Sequence, residues 1–480
     1  MKKILVVFLA FSLFLLTGCV ATTTTGSSCP AEEDGYPATI RGRVFTDSGD
    51  LLAAGIIVTD ESGNMKRYLT NYLSGYTLLL DAGTYTLTFT RGFEYSLKTI
   101  ELTVEDYKTY YVEDVRLTEL HDSTADGWYL GDLHQHSRFS DGKDEVDQVL
   151  LSNIAMGLDF GFLSDHNSAD GLAEWVQGSR FVSDYDPFGE PIRFLALRAV
   201  EVTTDYGHFQ SLGVGNVFQE ADINATKGED PVAEIRSMME EVVRSGAIAQ
   251  VNHPFATSNL GFDYWEILEE FDTIEIWNGL YEPNANENIA AKLKWFELLN
   301  GYAAGENKFL PATGGSDNHD LSGEYKAAYA DLSTPEGIYA DQYLRAGVYN
   351  GMPATVIRAE GGLTEEAVYA AIRGGHAYLT NGPEILATIG SAGYGDSFSL
   401  GEATSVDIAI DLFSRDPVSH INVYKNGEIV ATVLPLGSGS ILNLQDVITV
   451  EGVADGDWFV LEVIGANTLY AITNPIFITD

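Results

Sequence analysis

The sequence predicts a multidomain chain: a β-sandwich near the N-terminus, a central α/β barrel and a small C-terminal β-module. Three observations predict it. At 480 residues the chain is too long for one core and calls for two to four domains. From Tyr36 to about Leu120 apolar residues recur with period two between evenly spaced turn signals. From about Asp126 short apolar strands alternate with helical stripes, and after Pro383 the period-two pattern returns.

The first residues are set apart. Lys2 and Lys3, the apolar run Ile4 to Leu16 and then Thr17-Gly18-Cys19 form a charged start, a hydrophobic stretch and a small-residue cleavage site. The run is short for a membrane span. Leu16-Thr17-Gly18-Cys19 resembles a bacterial lipobox, which implies a lipoprotein signal peptide over residues 1–18 and lipidation of Cys19. Residues 19–35, rich in Thr, Ser and small side chains, read as a flexible tether. The expected location is the bacterial cell envelope, lipid-anchored and outside the cytoplasm. Only Cys29 would remain as a thiol, which rules out a disulfide within the lipidated chain. The balance of 27 Lys+Arg against 70 Asp+Glu gives −43. Such a field repels polyphosphate backbones and argues against a nucleic-acid partner, while it suits divalent cations.

Within residues 36–120, Thr39–Phe45, Gly55–Thr59 and Gly83–Thr90 read as strands, separated by turns at Ser48-Gly49, Ser62-Gly63 and Ala82-Gly83. The order IRGRVFTDSG, ESG, DAGTYTLTF resembles the carboxypeptidase regulatory-like β-sandwich, which implies a spacer or binding module. Residues 126–383 form the central unit. Its predicted helices are Asp144 to Met156, Pro231 to Ser245, and Thr364 to Arg373 with Thr364 as cap. Its strands are Phe160–Leu163, Phe194–Val200, Ala247–Val251, Thr273–Trp277 and Phe309–Thr313. In residues 384–480, Asn426-Gly427 marks a hairpin with a type I′ turn.

The polar residues of the central unit fall at strand ends. His134 and His136 share one face of an extended segment. Asp141 follows in a Gly-containing loop, and Asp165–His166 ends the next strand. Glu201, His253, and Asp317 with His319 each follow a later apolar strand. Chemistry in α/β barrels collects at such ends. Imidazole and carboxylate together suit Zn²⁺, Mn²⁺ or Fe, and the lack of thiolate argues against a structural Cys-type zinc site.

His134-x-His136, Ser140-Asp141-Gly142, Asp165-His166-Asn167, Glu201 with His208, Asn252-His253-Pro254 and Asp317-x-His319 resemble the PHP (polymerase and histidinol phosphatase) metallohydrolases, nearest their CehA/McbA-like branch. The resemblance implies a distorted (βα)7 barrel with two or three divalent ions. It places His134, His136, Glu201 and Asp317 around the first ion, and Glu201, His208 and His253 around the second. Asp141, His166 and His319 would hold the third, with Asp at a position where many PHP proteins carry His. Asp165 is expected to steer His166, and Glu201, Asp317 and Asp165 are the expected catalytic carboxylates.

The function this implies is metal-dependent hydrolysis of a small phosphoester by a metal-bridging hydroxide. An ester or carbamate hydrolase of the CehA/McbA type is the alternative, because the same donors serve both. A non-catalytic surface-binding lipoprotein should have lost ligands, whereas every position is retained here. His121, His376 and His420 read as structural. Arg138, Lys143 and Arg198 could face a phosphate or sit in surface ion pairs. Substrate choice would lie in loops 184–191, 216–230, 257–264 and 322–349.

Overall fold

The structure is a computed structural model that describes residues 37–184, 193–204, 207–213, 230–256, 260–279, 286–321, 324–325, 350–434, 442–465 and 469–480. The signal segment, Cys19, Cys29 and the tether up to residue 36 lie outside these, as does most of the loops proposed to select substrate.

The N-terminal strands are β1 (Ala38–Thr46), β2 (Gly55–Asp60), β3 (Met65–Leu69), β4 (Gly75–Leu80), β5 (Gly83–Thr90), β6 (Lys98–Val104), β7 (Thr109–Tyr111) and β8 (Val115–Leu117). They form two sheets. In one, β1 lies between β4 and β7, with β8 continuing along β1; in the other the order is β3-β2-β5-β6. Period two explains the packing. On β1, Ile40 and Val44 point into a shared core with Ile56, Leu78, Leu87 and Phe89, while Arg41 and Arg43 point out.

The central strands are β9 (Trp128–Asp132), β10 (Phe160–Leu163), β11 (Leu195–Thr204), β12 (Gly207–Leu212), β13 (Ile248–Val251), β14 (Thr273–Asn278), β15 (Ala312–Gly315), β16 (Glu324–Tyr325), β17 (Ala354–Arg358) and β18 (Ala377–Thr380). Five α-helices accompany them among the described residues: α1 (Val146–Ala155), α2 (Leu172–Asp184), α3 (Pro231–Ser245), α4 (Asn286–Ala303) and α5 (Glu365–Gly374). Thr364 caps α5 by accepting from Ala367 N, and Gly375 ends it at φ 70°.

A regular sevenfold βα alternation is not what the ladder shows. Strands β9, β10 and β11 pair in parallel, as do β13, β14 and β15, but β12 runs antiparallel between β11 and β13. Two residues separate β11 from β12. That is enough for a hairpin and far too few for a helical crossover. Beyond β9 come β17 and β18, both antiparallel.

The sheet curls until the segment after β15, at one of its ends, meets the segment after β9. Asp317 N donates to His134 O (2.7 Å), His136 N donates to Asn318 O (3.0 Å), and Gln135 bridges Asn318 in parallel. Buried Asp132 clasps the same seam, accepting from Ser316 N and Oγ, His134 N and Gly351 N. Both stretches that bracket the seam carry candidate ligands.

The C-terminal strands are β19 (Glu384–Ile389), β20 (Ser397–Ser399), β21 (Ser405–Ser414), β22 (Val418–Lys425), β23 (Glu428–Val433), β24 (Leu442–Glu451), β25 (Trp458–Gly465), β26 (Tyr470–Thr473) and β27 (Ile476–Thr479). Because β18 pairs with β26, the central ladder continues through β25 and β22 to β23, and one hydrophobic core spans both regions. Strands β19, β21 and β24 form a separate sheet. Asn426 and Gly427 turn with φ 55° and 88°, the left-handed pair a type I′ hairpin requires.

The N-terminal unit is tied to the central one at a specific place. Strand β16 pairs antiparallel with β3, and buried Arg67 of β3 donates from Nη2 to Asp320 O (2.9 Å). Both contacts fall just after His319.

Candidate metal centre

His134 and His136 lie just beyond β9, on either side of the bridge residue Gln135, so alternation sends both rings the same way. His166 follows β10 and bridges Glu201 in parallel. Glu201 lies within β11, which runs on to Thr204, and the hairpin returns His208 of β12 opposite Thr203. His253 follows β13, and Asp317 and His319 follow β15. His253 and Asp317 hold positive φ of 23° and 49°, a strain that non-glycine residues sustain only where their surroundings fix it.

These residues converge. His134, His136, Glu201 and Asp317 form one group of possible ligands. His134 Nε2 lies 3.2 Å from both Glu201 Oε2 and Asp317 Oδ1; His136 Nε2 lies 3.3 and 3.0 Å from the same two oxygens. All four atoms are buried, and none has a hydrogen-bond partner of acceptable geometry. Orphaned donors of this kind are costly unless something else satisfies them. Their spacing suits a cation. A tetrahedral site with metal–ligand bonds of about 2.0–2.1 Å has ligand–ligand edges of about 3.3 Å.

Two further groups adjoin it. His166, Glu201 and His208 share one, and His253 Nε2 approaches the same Glu201 Oε1 as His208 Nδ1, each at 3.1 Å. His136, Asp141, His166 and His319 share the other, with Asp141 Oδ1 3.1 Å from His319 Nε2 and 3.5 Å from His166 Nε2. Glu201 is fully buried, whereas the Asp141 side chain is 63% exposed, so the centre opens to solvent on the Asp141 side.

Electrostatics follow from this crowding. Burial pushes Glu201 and Asp317 up, but the adjacent His134 and His136 overcome it and hold both carboxyls well below their ordinary values. Burial pushes His134 and His136 down, but the carboxylates reverse it. His134 ends well above the usual imidazole value and His136 at about 9. Burial, followed by the charge on His136, lowers His319.

The orientation of the rings depends partly on residues the sequence did not single out. Glu275 on β14 is completely buried, and its Oε1 lies 3.1 Å from His134 Nδ1. A carboxylate there keeps the proton on Nδ1 and leaves Nε2 free as a ligand. Its other oxygen accepts from His253 N and Asn278 Nδ2. His319 Nδ1 lies 2.8 Å from Asp317 O, so a neutral ring carries its proton there and presents Nε2 toward Asp141. Asn252 Nδ2 donates to Glu201 Oε1 (2.8 Å). Glu275→Gln is therefore expected to weaken metal binding about 10–100-fold, the range for lost outer-shell partners. Competition against a chelator of known affinity measures it.

Gly315 sets the distance between β15 and the His134 segment. A Cβ at this position would lie 2.3 Å from His134 Cβ and 2.8 Å from His134 N. Gly315→Ala should displace His134, destabilise the fold by about 1–3 kcal/mol or more, and reduce metal content. Thermal unfolding with metal analysis reads both effects.

Asp165 takes a different place from the one expected. It is buried and accepts from Ser137 N and Oγ and from Ser140 Oγ, which fixes the 137–140 turn that leads to Asp141. Those bonds go to the turn and none to His166. Arg138 pairs with Glu145 and Lys143 with Asp320, both at the surface, and Arg198 is exposed on β11. His121 stacks on Phe413, His376 Nδ1 bonds Tyr394 O, and His420 bonds Ser419.

No protein-family model matches the chain, and no curated protein matches it. Among solved structures it is similar to a two-domain protein from Bacteroides vulgatus containing a predicted PHP-like metal-dependent phosphoesterase. The identity is 14%, over 72% of this chain and 94% of that one, with a TM-score of 0.39. It is also similar to an amidohydrolase from Chromobacterium violaceum, solved with sulfate and no metal. There the identity is 18%, over 40% of this chain and 87% of that one, with a TM-score of 0.27. Likenesses this slight assign no family.

Proposed function

We propose that this chain is a metal-dependent hydrolase of the PHP type that cleaves a small phosphoester outside the cytoplasm, anchored through lipid on Cys19. One observation carries the catalytic reading. His134 Nε2, His136 Nε2, Glu201 Oε2 and Asp317 Oδ1 are buried without hydrogen-bond partners, and each nitrogen lies within about one tetrahedral edge of both oxygens. Structural histidines and carboxylates in a core are paired with donors and acceptors that satisfy them. These four have no such partner, and a shared cation would satisfy all of them at once.

His134, His136, Glu201 and Asp317 would hold a first divalent ion; Glu201 with His208 and His253 a second; Asp141, His166 and His319 the most exposed one. Such ions supply Lewis acidity and lower the pKa of bound water toward neutrality. The chain's own residues supply position. Glu275 fixes the His134 tautomer, Asp132 closes the seam that carries both flanking ligand pairs, and Asp165 holds the turn before Asp141.

The anchor and the location rest on the lysines, apolar run and Cys19 of the first 19 residues. The phosphoester rests on the resemblance of the ligand motifs to PHP enzymes. The test uses the chain from Ser27 onward, which keeps every described element. Metal content is measured alongside turnover of p-nitrophenyl phosphate, bis-p-nitrophenyl phosphate and p-nitrophenyl acetate. Two or three metals per chain and metal-dependent release from a phosphate ester are expected. Turnover of the acetate alone would transfer the activity to carboxylesters. A protein that neither retains nor responds to Zn²⁺, Mn²⁺ or Fe²⁺ would end the hydrolase reading.

A further inference from the structure

A second recess lies away from the metal centre, where the N-terminal sheets face the start of α1. It is an open recess of about 930 Å³, lined by β1, β3 and β4 and by Asp144, Gln148 and Leu151. The register of the first sheet determines what faces it. Arg41 pairs with Thr77 of β4 and with Tyr111 of β7, so guanidinium, hydroxyl and phenol stand in a row across three strands. Arg43 follows two residues on and emerges on the same face, while Ile40 and Val44 turn into the core.

Arg41 and Arg43 are exposed, and neither makes an ion pair among the described residues. That is notable in a chain with 70 carboxylates and 27 cations, where a carboxylate could easily have been placed opposite each. Other arginines here do have such partners: Arg138 pairs with Glu145, and Arg415 with Asp416. Two carboxylates, Asp114 and Asp144, also line this recess, but neither pairs with Arg41 or Arg43 among the described residues, and Asp144 already accepts from Leu321 N. The recess is too large for a bare ion. Tyr111, 77% exposed, offers a flat apolar face, and Thr77 a hydroxyl, beside the two fork-shaped cations.

We propose that this recess binds a sugar ring carrying one anionic group, phosphate or carboxylate, with Arg41 and Arg43 on the anion and Tyr111 against the ring. The site is independent of the metal centre and of the reaction proposed there. It would let the N-terminal unit hold an anionic saccharide beside the catalytic unit.

The test is calorimetric titration of the chain from Ser27 onward, stripped of metal by chelation so that the metal centre cannot hold the anion. Glucose 6-phosphate, glucuronate, glucose and inorganic phosphate are the probes. Saturable binding of at least one anionic sugar is expected, tighter than glucose or inorganic phosphate. Which of the two binds better identifies the anionic group. The double variant Arg41→Ala/Arg43→Ala, on exposed positions, should weaken that binding about tenfold or more, since charge-assisted hydrogen bonds are lost. Tyr111→Ala should weaken whichever anionic sugar binds while leaving inorganic phosphate unchanged. No saturable binding of either sugar acid would overturn the proposal. So would binding that the double variant leaves intact, or inorganic phosphate binding as tightly as the anionic sugar that binds.

Discussion

Glu201→Ala is expected to strip at least one ion from the centre and to lower kcat/KM by more than about 100-fold, beyond the loss for an outer-shell partner. The size of the effect follows from the number of groups this one carboxylate serves. Its Oε2 faces His134 Nε2, His136 Nε2 and His166 Nδ1 at 3.2, 3.3 and 2.9 Å. Its Oε1 faces His208 Nδ1 and His253 Nε2, both at 3.1 Å, and accepts from Asn252. No other carboxylate contacts ring nitrogens of both sets among the described residues. Losing it removes the shared charge that lets five imidazoles sit within one core. Glu201→Gln separates the two contributions, because it keeps the shape and the Oε1 acceptor but loses the charge. Metal analysis of both variants, with circular dichroism to confirm folding, is the measurement. Unchanged metal content in a folded Glu201→Ala protein would refute a shared-carboxylate centre.

The ligands were legible because their spacing is local. His134 and His136 are two residues apart on an extended segment, and His166, Glu201, His253, Asp317 and His319 each come at or soon after an apolar run visible in the sequence. What the sequence did not show depends on pairing over distance. Glu275 lies in Thr273-Ile-Glu-Ile-Trp277, where alternation makes it look like the solvent face of a half-buried strand. Strand β14 is flanked by parallel partners and buried on both faces, so the glutamate points inward to His134. The sequence named His208 but not the fold-back of β11 into β12 that sets it opposite Thr203, since the short stretch between them has no strong turn signature. The tie between β16 and β3 joins residues more than 250 positions apart, and nothing in either short stretch announces it. The distorted (βα)7 barrel implied by the family resemblance is not shown as such: among the described residues its alternation is interrupted at the β11–β12 hairpin.

Stability should fall as pH rises from about 5 to 8, and Glu384→Gln should flatten that fall. The cause is a group of carboxyls where the three regions meet. Glu94 follows β5, Asp122 precedes β9, Asp159 precedes β10, and Glu384 opens β19. Glu384 is buried with neither oxygen hydrogen-bonded; its nearest partner is His121 Nε2 at 3.3 Å. Glu94 accepts from Ser123 N, and Asp159 from Leu130 N. Burial outweighs these bonds, pushing Glu94 up to about 7 and Asp159 to about 8, and it raises Glu384 well above the usual range, with Glu94, Asp122 and Asp159 adding like-charge repulsion. Arg91 opposes this at Asp159, but weakly. The native state thus keeps protons that the unfolded chain has released by about pH 4–5. Each such group costs about 1.4 kcal/mol per pH unit above its unfolded value, until its own native pKa is passed and the loss levels off. A glutamine at 384 resembles the protonated acid at every pH. In chelator-treated protein, where the metal centre is the same for both, the variant should therefore unfold at a higher temperature than wild type at pH 8 and at nearly the same temperature at pH 5. Parallel curves across that range would show that the native carboxyls titrate at ordinary values and that the junction holds its charge without cost.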